Sequence, residues 1–410
     1  MILPSPLKSA TLTITPLTGM PLHLEATTYH ASVCTYLTER ESDLWRWGTS
    51  AMQDDLQQLR LHLLKTTYQL SVDAHPELHA RAARAAQALG IEAAISLYQA
   101  NDGGGANVAI YTAPGEAHII FQGPVLGMLD GAEIDAVLGH ELAHYLLWQR
   151  DGRRFQVASR ILERLALEES PPGVWASTAL RYQQYTEIYA DRGAYAVCGD
   201  IGPCIASLVK IQTGTPQVHV ESYLQQADRI LAHENAACEH AGHPQNFIRT
   251  RALALHASGA PGIDATLAAL LGGPVKLDRL DILGQAELHL LTRSVLARLL
   301  APTWFGSDSV LALACRYYAD FRHGQSPPIG VVTLPPGHQL AEFFSFVLLD
   351  FACVDPALED LPLAAALRLA EELSIGKAFE ALLLKETGIK KTALAKLKAA
   401  RDDLLARAST

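Results

Sequence analysis

Two histidines four residues apart, His140 and His144, enclose Glu141 in the stretch EIDAVLGHELAHYLL. On a helix, residues i and i+4 share a face, so both imidazoles can reach one Zn²⁺ ion. Glu141, one residue along, stands about 100° further round the helix, beside the metal without ligating it. From there its carboxylate can take a proton from a water that the metal activates, the work of a general base. A catalytic zinc takes three protein ligands and leaves a position for water. Glu187 and Asp191, again at i and i+4 in RYQQYTEIYADRGAYAV, offer the remainder. Glu187 is a natural oxygen ligand. Asp191 can accept a hydrogen bond from the far nitrogen of a ligating histidine, which fixes its tautomer and raises its basicity. A lone Glu-x-x-x-Asp is an ordinary solvated helix face; the preceding His-Glu-x-x-His favours reading it as a third ligand, Glu187, with Asp191 supporting a ligating histidine.

These side chains need helices to present them and a sheet to back the helices. Helical spacing of Leu56, Leu59, Leu63, Leu64 and Leu70 predicts helix from Glu41 to Ala88, broken at His75–Pro76, with Gly90 closing the second part. Residues 91–98, 107–111 and 117–121 read as strands around the Asp102–Gly105 and Ala113–Pro114–Gly115 turns. Asp130–Gly131 opens the apolar helix that carries His140 and His144, and helical texture dominates thereafter. Residues 1–35, with ATLTITPL, read as a short strand or ordered arm. Breaks at Ser258–Gly262 and in the Pro-rich loop 323–338 divide the chain into an arm (1–40), a catalytic region (41–258) and a C-terminal helical region (263–410). The expected class is mainly α with a small β-sheet, an α+β zincin-like domain followed by a helical one.

Four blocks in order resemble the M48 zinc metallopeptidases, the gluzincin group that includes the CAAX-processing and heat-shock proteases. They are Asn107 through Pro114–Gly115 with the strand HIIF; His140 to His144; Glu187, Asp191 and Arg192; and His243–Pro244 to Arg249. They span roughly residues 77–255. The chain departs from the family at Val108–Ala109–Ile110, where Ala then Phe is usual after the Asn, and in lacking the membrane spans of many members. The resemblance implies a zinc metalloendopeptidase with one Zn²⁺ per chain on His140, His144 and Glu187, and Glu141 as base. It also implies that Asn107, Asp191, His243 and Arg249 support the metal or the transition state. His243 could donate to the oxyanion formed on the peptide carbonyl, and Arg249 could hold Asp191 or Glu187 through a bidentate pair. It further suggests that Ala117, His118, Ile119, Ile120 and Phe121 form an edge strand to which an extended substrate adds.

Composition sets the surroundings of that chemistry. Of 410 residues, 49% are hydrophobic and 19% charged, which allows a sizeable core and argues against disorder. A formal net charge of −10 argues against a nucleic-acid or anionic-membrane binder. No run approaches the roughly 20 uninterrupted apolar residues of a membrane span, and the first 20 residues make a poor signal peptide. Six cysteines without a C-x-x-C pair suit a reducing, cytoplasmic setting. Cys198 and Cys204, the closest two, read as free thiols. The run His233, Cys238, His240 and His243 reads as a surface loop, because it has no regular ligand spacing. The expected substrate is therefore a soluble or unfolded protein or peptide, with 263–410 acting as a lid or partner-binding module. The alternative is a metal-bearing scaffold or chaperone-like binding protein without proteolysis.

Overall fold

The computed structural model describes residues 24–51, 56–101, 105–233, 243–273, 275–330, 334 and 337–408. The expected ATLTITPL strand, most of the Asp102–Gly105 turn, Cys238 and His240, and part of the loop 323–338 lie outside the described residues. The chain divides into two compact units, Met1–Glu168 with Ala179–Gly273, and Glu169–Thr178 with Pro274–Thr410.

The first unit opens with α1 (Thr28–Arg40), α2 (Ser42–Ser50) and α3 (Leu56–Thr66). Residues 28–35 are thus helical and not the expected strand or arm. Thr27 caps α1 by accepting from the His30 backbone N–H, and Val33, Cys34 and Leu37 bury one face at helical spacing. There follow β1 (Tyr68–Gln69), α4 (Pro76–Ala88), β2 (Ala94–Ala100), β3 (Asn107–Ala113), β4 (Glu116–Gln122), α5 (Val125–Met128) and α6 (Gly131–Gln149). Next come α7 (Arg154–Glu168), α8 (Val174–Cys198), α9 (Ile201–Thr213), α10 (Val220–Leu231), α11 (Asn246–Ala257) and α12 (Ile263–Gly272). The turn Ser258–Gly262 joins α11 to α12 within this unit. The small sheet among many helices makes the class α+β.

The sheet order is β1-β2-β4-β3, with β4 parallel to β2 and antiparallel to β3. This corrects the expected edge strand: Ala117 to Phe121 lies between two neighbours, and its main-chain groups are taken up on both sides. The run is apolar because both faces are covered. Ala117, Ile119 and Phe121 join the core with Leu138 and Leu142 of α6, while Ile120 packs with Leu63 of α3 and Tyr98. The strand at the outer edge is β3, joined to β4 through Gly115, whose φ of 77° suits a residue without a Cβ.

The second unit takes in the start of α8, up to Thr178, where Glu169 accepts hydrogen bonds from the backbone N–H groups of Gly173, Trp175 and Ala176. Six further helices follow: α13 (Ile282–Leu299), α14 (Asp308–Tyr317), α15 (His338–Ala352), α16 (Leu361–Glu372), α17 (Gly376–Glu386) and α18 (Lys391–Ala408). Val295, Phe305, Phe344, Phe351 and Phe379 form their shared core. No described helix in either unit is long and apolar enough to cross a membrane.

Candidate metal centre

α6 is fixed at its start by a reciprocal cap. Asp130 accepts from the Glu133 N–H and Glu133 accepts from the Asp130 N–H, each at 2.9 Å. Lys210 of α9 reaches the same Glu133 carboxylate at 2.8 Å. Against α6 lies α8, and the two touch backbone to backbone. A Cβ built on Gly193 would stand 2.3 Å from the Ala143 Cβ, and one on Gly139 would stand 3.0 Å from the Ala194 Cα. Only residues without side chains allow this approach, and it brings the helix face bearing His140 and His144 up to the face bearing Glu187 and Asp191.

The Nε2 atoms of His140 and His144 are 3.2 Å apart; Glu187 Oε2 lies 3.6 Å from the first and Oε1 3.6 Å from the second. Nitrogen and oxygen ligands at zinc distances and a tetrahedral angle would be separated by about 3.3 Å. Two imidazole nitrogens and a carboxylate converging at that spacing fit a divalent ion. Glu187 Oε2 is buried without a well-directed hydrogen bond, although His243 Nδ1 lies 3.0 Å and Arg249 Nη1 3.4 Å away. A carboxylate oxygen left in that condition is further matched by a cation.

Behind the ligands, Asp191 Oδ1 is 3.1 Å from His140 Nδ1, so the imidazole gives Nδ1–H to Asp191 and turns Nε2 to the centre. Arg249 of α11 donates from Nε to Asp191 Oδ2 at 2.8 Å and from Nη2 to Oδ1 at 2.5 Å, a two-pronged pair. His243, just before α11, is largely exposed. Asn107, the first residue of β3, is exposed too and lines the same cavity without a bond to the ligand cluster. Ala117 to Phe121 are not brought to the centre.

Burial dominates the charge states. It pushes the Glu141 carboxyl up to about 7, against the pull of His140 and Arg249. Burial, reinforced by the His140 charge, drops His144 to about 4. His140 goes the other way, because the Asp191 hydrogen bond and the Glu187 charge outweigh burial. Burial opposes ionisation of Glu187 and Asp191 as well, but the Arg249 guanidinium overcomes it and holds both below the usual carboxylate range. The outcome is a fixed anionic pair, one neutral ligand imidazole and a carboxyl poised near neutrality.

All of these groups line one cavity of about 460 Å³. Its remaining wall comes from β3, from Trp148 one turn beyond His144, and from a face of α9. Trp148, the α9 face and the glycines of the α6–α8 crossing were not singled out by sequence. Their signals, an aromatic at i+4 and small or apolar residues at helical spacing, match those of ordinary core positions.

A buried helix pair offering two imidazoles and a carboxylate, with a second carboxyl alongside, is a donor set that could hold a metal ion. Residues 72–257 match the model of peptidase family M48, a metal-dependent family. Searches of the curated proteins and of the solved structures gave no match.

Proposed function

We propose that the protein is a zinc-dependent endopeptidase. The observation that carries this is the convergence of His140, His144 and Glu187 within 4.8 Å, in a cavity that Glu141 also lines. Zinc, when bound, supplies a Lewis acid that activates water and polarises the scissile carbonyl. Glu141 takes the proton of the attacking water and returns it to the leaving amine; a carboxyl near neutrality suits both directions. His243 stands beside Glu187, within reach to donate a hydrogen bond to the carbonyl oxygen as negative charge develops there. Asp191 and Arg249 hold His140 in the donor tautomer. The outer edge of β3, with Asn107 to Ile110 on the cavity wall, replaces β4 as the strand along which an extended substrate lies. Access by main-chain hydrogen bonding suits unfolded proteins and peptides.

Digestion of a peptide library by wild type and by Glu141→Gln tests this. Wild type, loaded with one zinc per chain, is expected to cleave. The variant is expected to keep its zinc and lose about 10²–10⁴-fold in kcat. Equal cleavage by both, or none by the zinc-loaded wild type, removes the peptidase assignment and leaves the scaffold alternative.

A further inference from the structure

Among the side chains that α9 turns to the cavity, all but one have spent their donors. Cys204 donates from Sγ to the Asp200 carbonyl at 3.4 Å, and Ser207 from Oγ to the Cys204 carbonyl at 2.9 Å. Leu208 and Ile211 bring no polar group. Gln212, the fifth, is exposed, and its amide is set by a relay that starts on the backbone. The Leu208 carbonyl can only accept, so the Asn246 atom 2.9 Å from it is the amide nitrogen Nδ2. That nitrogen also lies 2.8 Å from the Gln212 amide, and two N–H groups cannot pair, so it meets Oε1. Asn246 is 8% exposed and commits both hydrogens of Nδ2 to these two acceptors. Gln212 Nε2 is thereby turned away from Asn246, and no acceptor among the described residues takes its N–H groups.

We infer that Gln212 is a main-chain anchor: its Nε2 donates to one carbonyl of a bound peptide, and Asn246 is the positioning residue that keeps this end of the amide presented. The inference rests on the peptidase assignment for its occupant. β3 and α9 both pack on α6, and both line the cavity. A peptide laid along β3 turns the N–H and C=O of alternate residues to that strand and the others away from it. Those outward groups lose water inside the cavity, and a carbonyl left there without a donor costs more than a hydrogen bond returns. Gln212 supplies the donor. Because it reads the backbone, it does so whatever side chains the peptide carries. Asn246 opens α11, so the helix that holds Asp191 through Arg249 also sets this anchor.

Peptidyl hydroxamates read this contact without turnover, because they hold a metal at one end and run along the cavity from it. The probes are acetyl-trialanine hydroxamate and malonyl-dialanine amide hydroxamate, which extend to either side of the metal. Each is also made with its amide C=O groups replaced one at a time by C=S, a weaker acceptor. Binding to the zinc-loaded full chain is measured by calorimetry. Gln212→Leu is expected to weaken one parent compound about 3–10-fold with zinc content unchanged. Gln212→Glu, which puts an acceptor where the donor stood, should weaken it at least as much. In wild type one sulfur position should carry a similar cost, and in Gln212→Leu that cost disappears. Asn246→Ala should shrink the same cost, which a general loosening of the fold would not do; if it loses zinc, the isosteric Asn246→Asp takes its place. A cost unchanged in the zinc-loaded Asn246 variant overturns the positioning role. Equal affinity of wild type and Gln212→Leu, the same sulfur pattern in both, or no hydroxamate binding overturns the anchor. The expected pattern together with no cleavage of any peptide upholds the anchor and instead overturns the peptidase assignment.

Discussion

Asp191 carries two jobs through its two oxygens, holding the His140 ring and neutralising Arg249, whose side chain is 8% exposed. Asp191→Ala removes both. The guanidinium is left buried with Glu187 at 3.4 Å, and loss of one partner of a buried pair costs about 3–5 kcal/mol. Zinc affinity is expected to fall about 10–100-fold as His140 loses its orienting acceptor; chemical denaturation and a competitive chelator titration measure the two effects. His30 is a buried histidine with a structural role. Its Nε2 lies 3.0 Å from Thr186 Oγ1, whose hydroxyl already donates to the Tyr182 carbonyl, so Nε2 carries the proton. Nδ1 then accepts from Thr27 at 2.7 Å. Burial, with the Arg192 charge, lowers its pKa to about 3. Between pH 6.5 and 3 the unfolded chain takes up a proton there that the folded chain refuses, so stability falls as pH falls. The loss is about 2 kcal/mol at pH 5 relative to pH 7. Urea melts at the two pH values, made in wild type and in His30→Gln, should differ in their pH dependence by about this amount.

At the scale of the element, the decisive feature is the α6–α8 crossing. What brings His140 and His144 up to Glu187 is the close separation of the two helices. Gly193 allows it, since even one added carbon would enter the space of the Ala143 Cβ. Gly193→Val is expected to push α8 outward, cost about 1–3 kcal/mol by overpacking and reduce zinc occupancy well below one per chain. Thermal melts with metal analysis of the purified variant check both; a variant with full zinc content would show that the contact is not what sets the site. The sheet carries a second lesson. AHIIF is readable as a strand from its residues, yet its place in the order is not. The most apolar strand, β4, is covered on both faces and paired on both sides, while the exposed Asn107 and Tyr111 belong to β3, an edge strand.

For the whole molecule, the turn at Ser258–Gly262 and the change of unit at Gly273–Pro274 lead to different expectations for truncation. Leu267 and Leu271 of α12 are 4% and 2% exposed and pack with Tyr185, Ile188, Ile248 and Ala252, close in sequence to Glu187 and Arg249. A chain ended at Gly262 loses these leucines, at about 2–5 kcal/mol each, whereas one ended at Gly273 keeps them. The longer truncate is expected to melt higher and hold more zinc; equal melting temperatures would separate α12 from the fold that carries the candidate metal centre. From the residues alone, His140, Glu141, His144, Glu187 and Asp191 are legible as candidate ligands and their supports, because metal ligation and proton transfer accept few residue types, at spacings a helix dictates; His243 and Arg249 came only through the family resemblance. Helix positions from Pro76 onward and the three longer strands were legible for the similar reason that local periodicity and turn residues govern them. Only the tertiary structure decided which strand is the edge, which glycines set the helix crossing, and that one stripe of α9 faces the cavity. Those depend on pairing and packing between segments distant in sequence. A residue that lines a pocket and one that fills a core leave the same apolar mark.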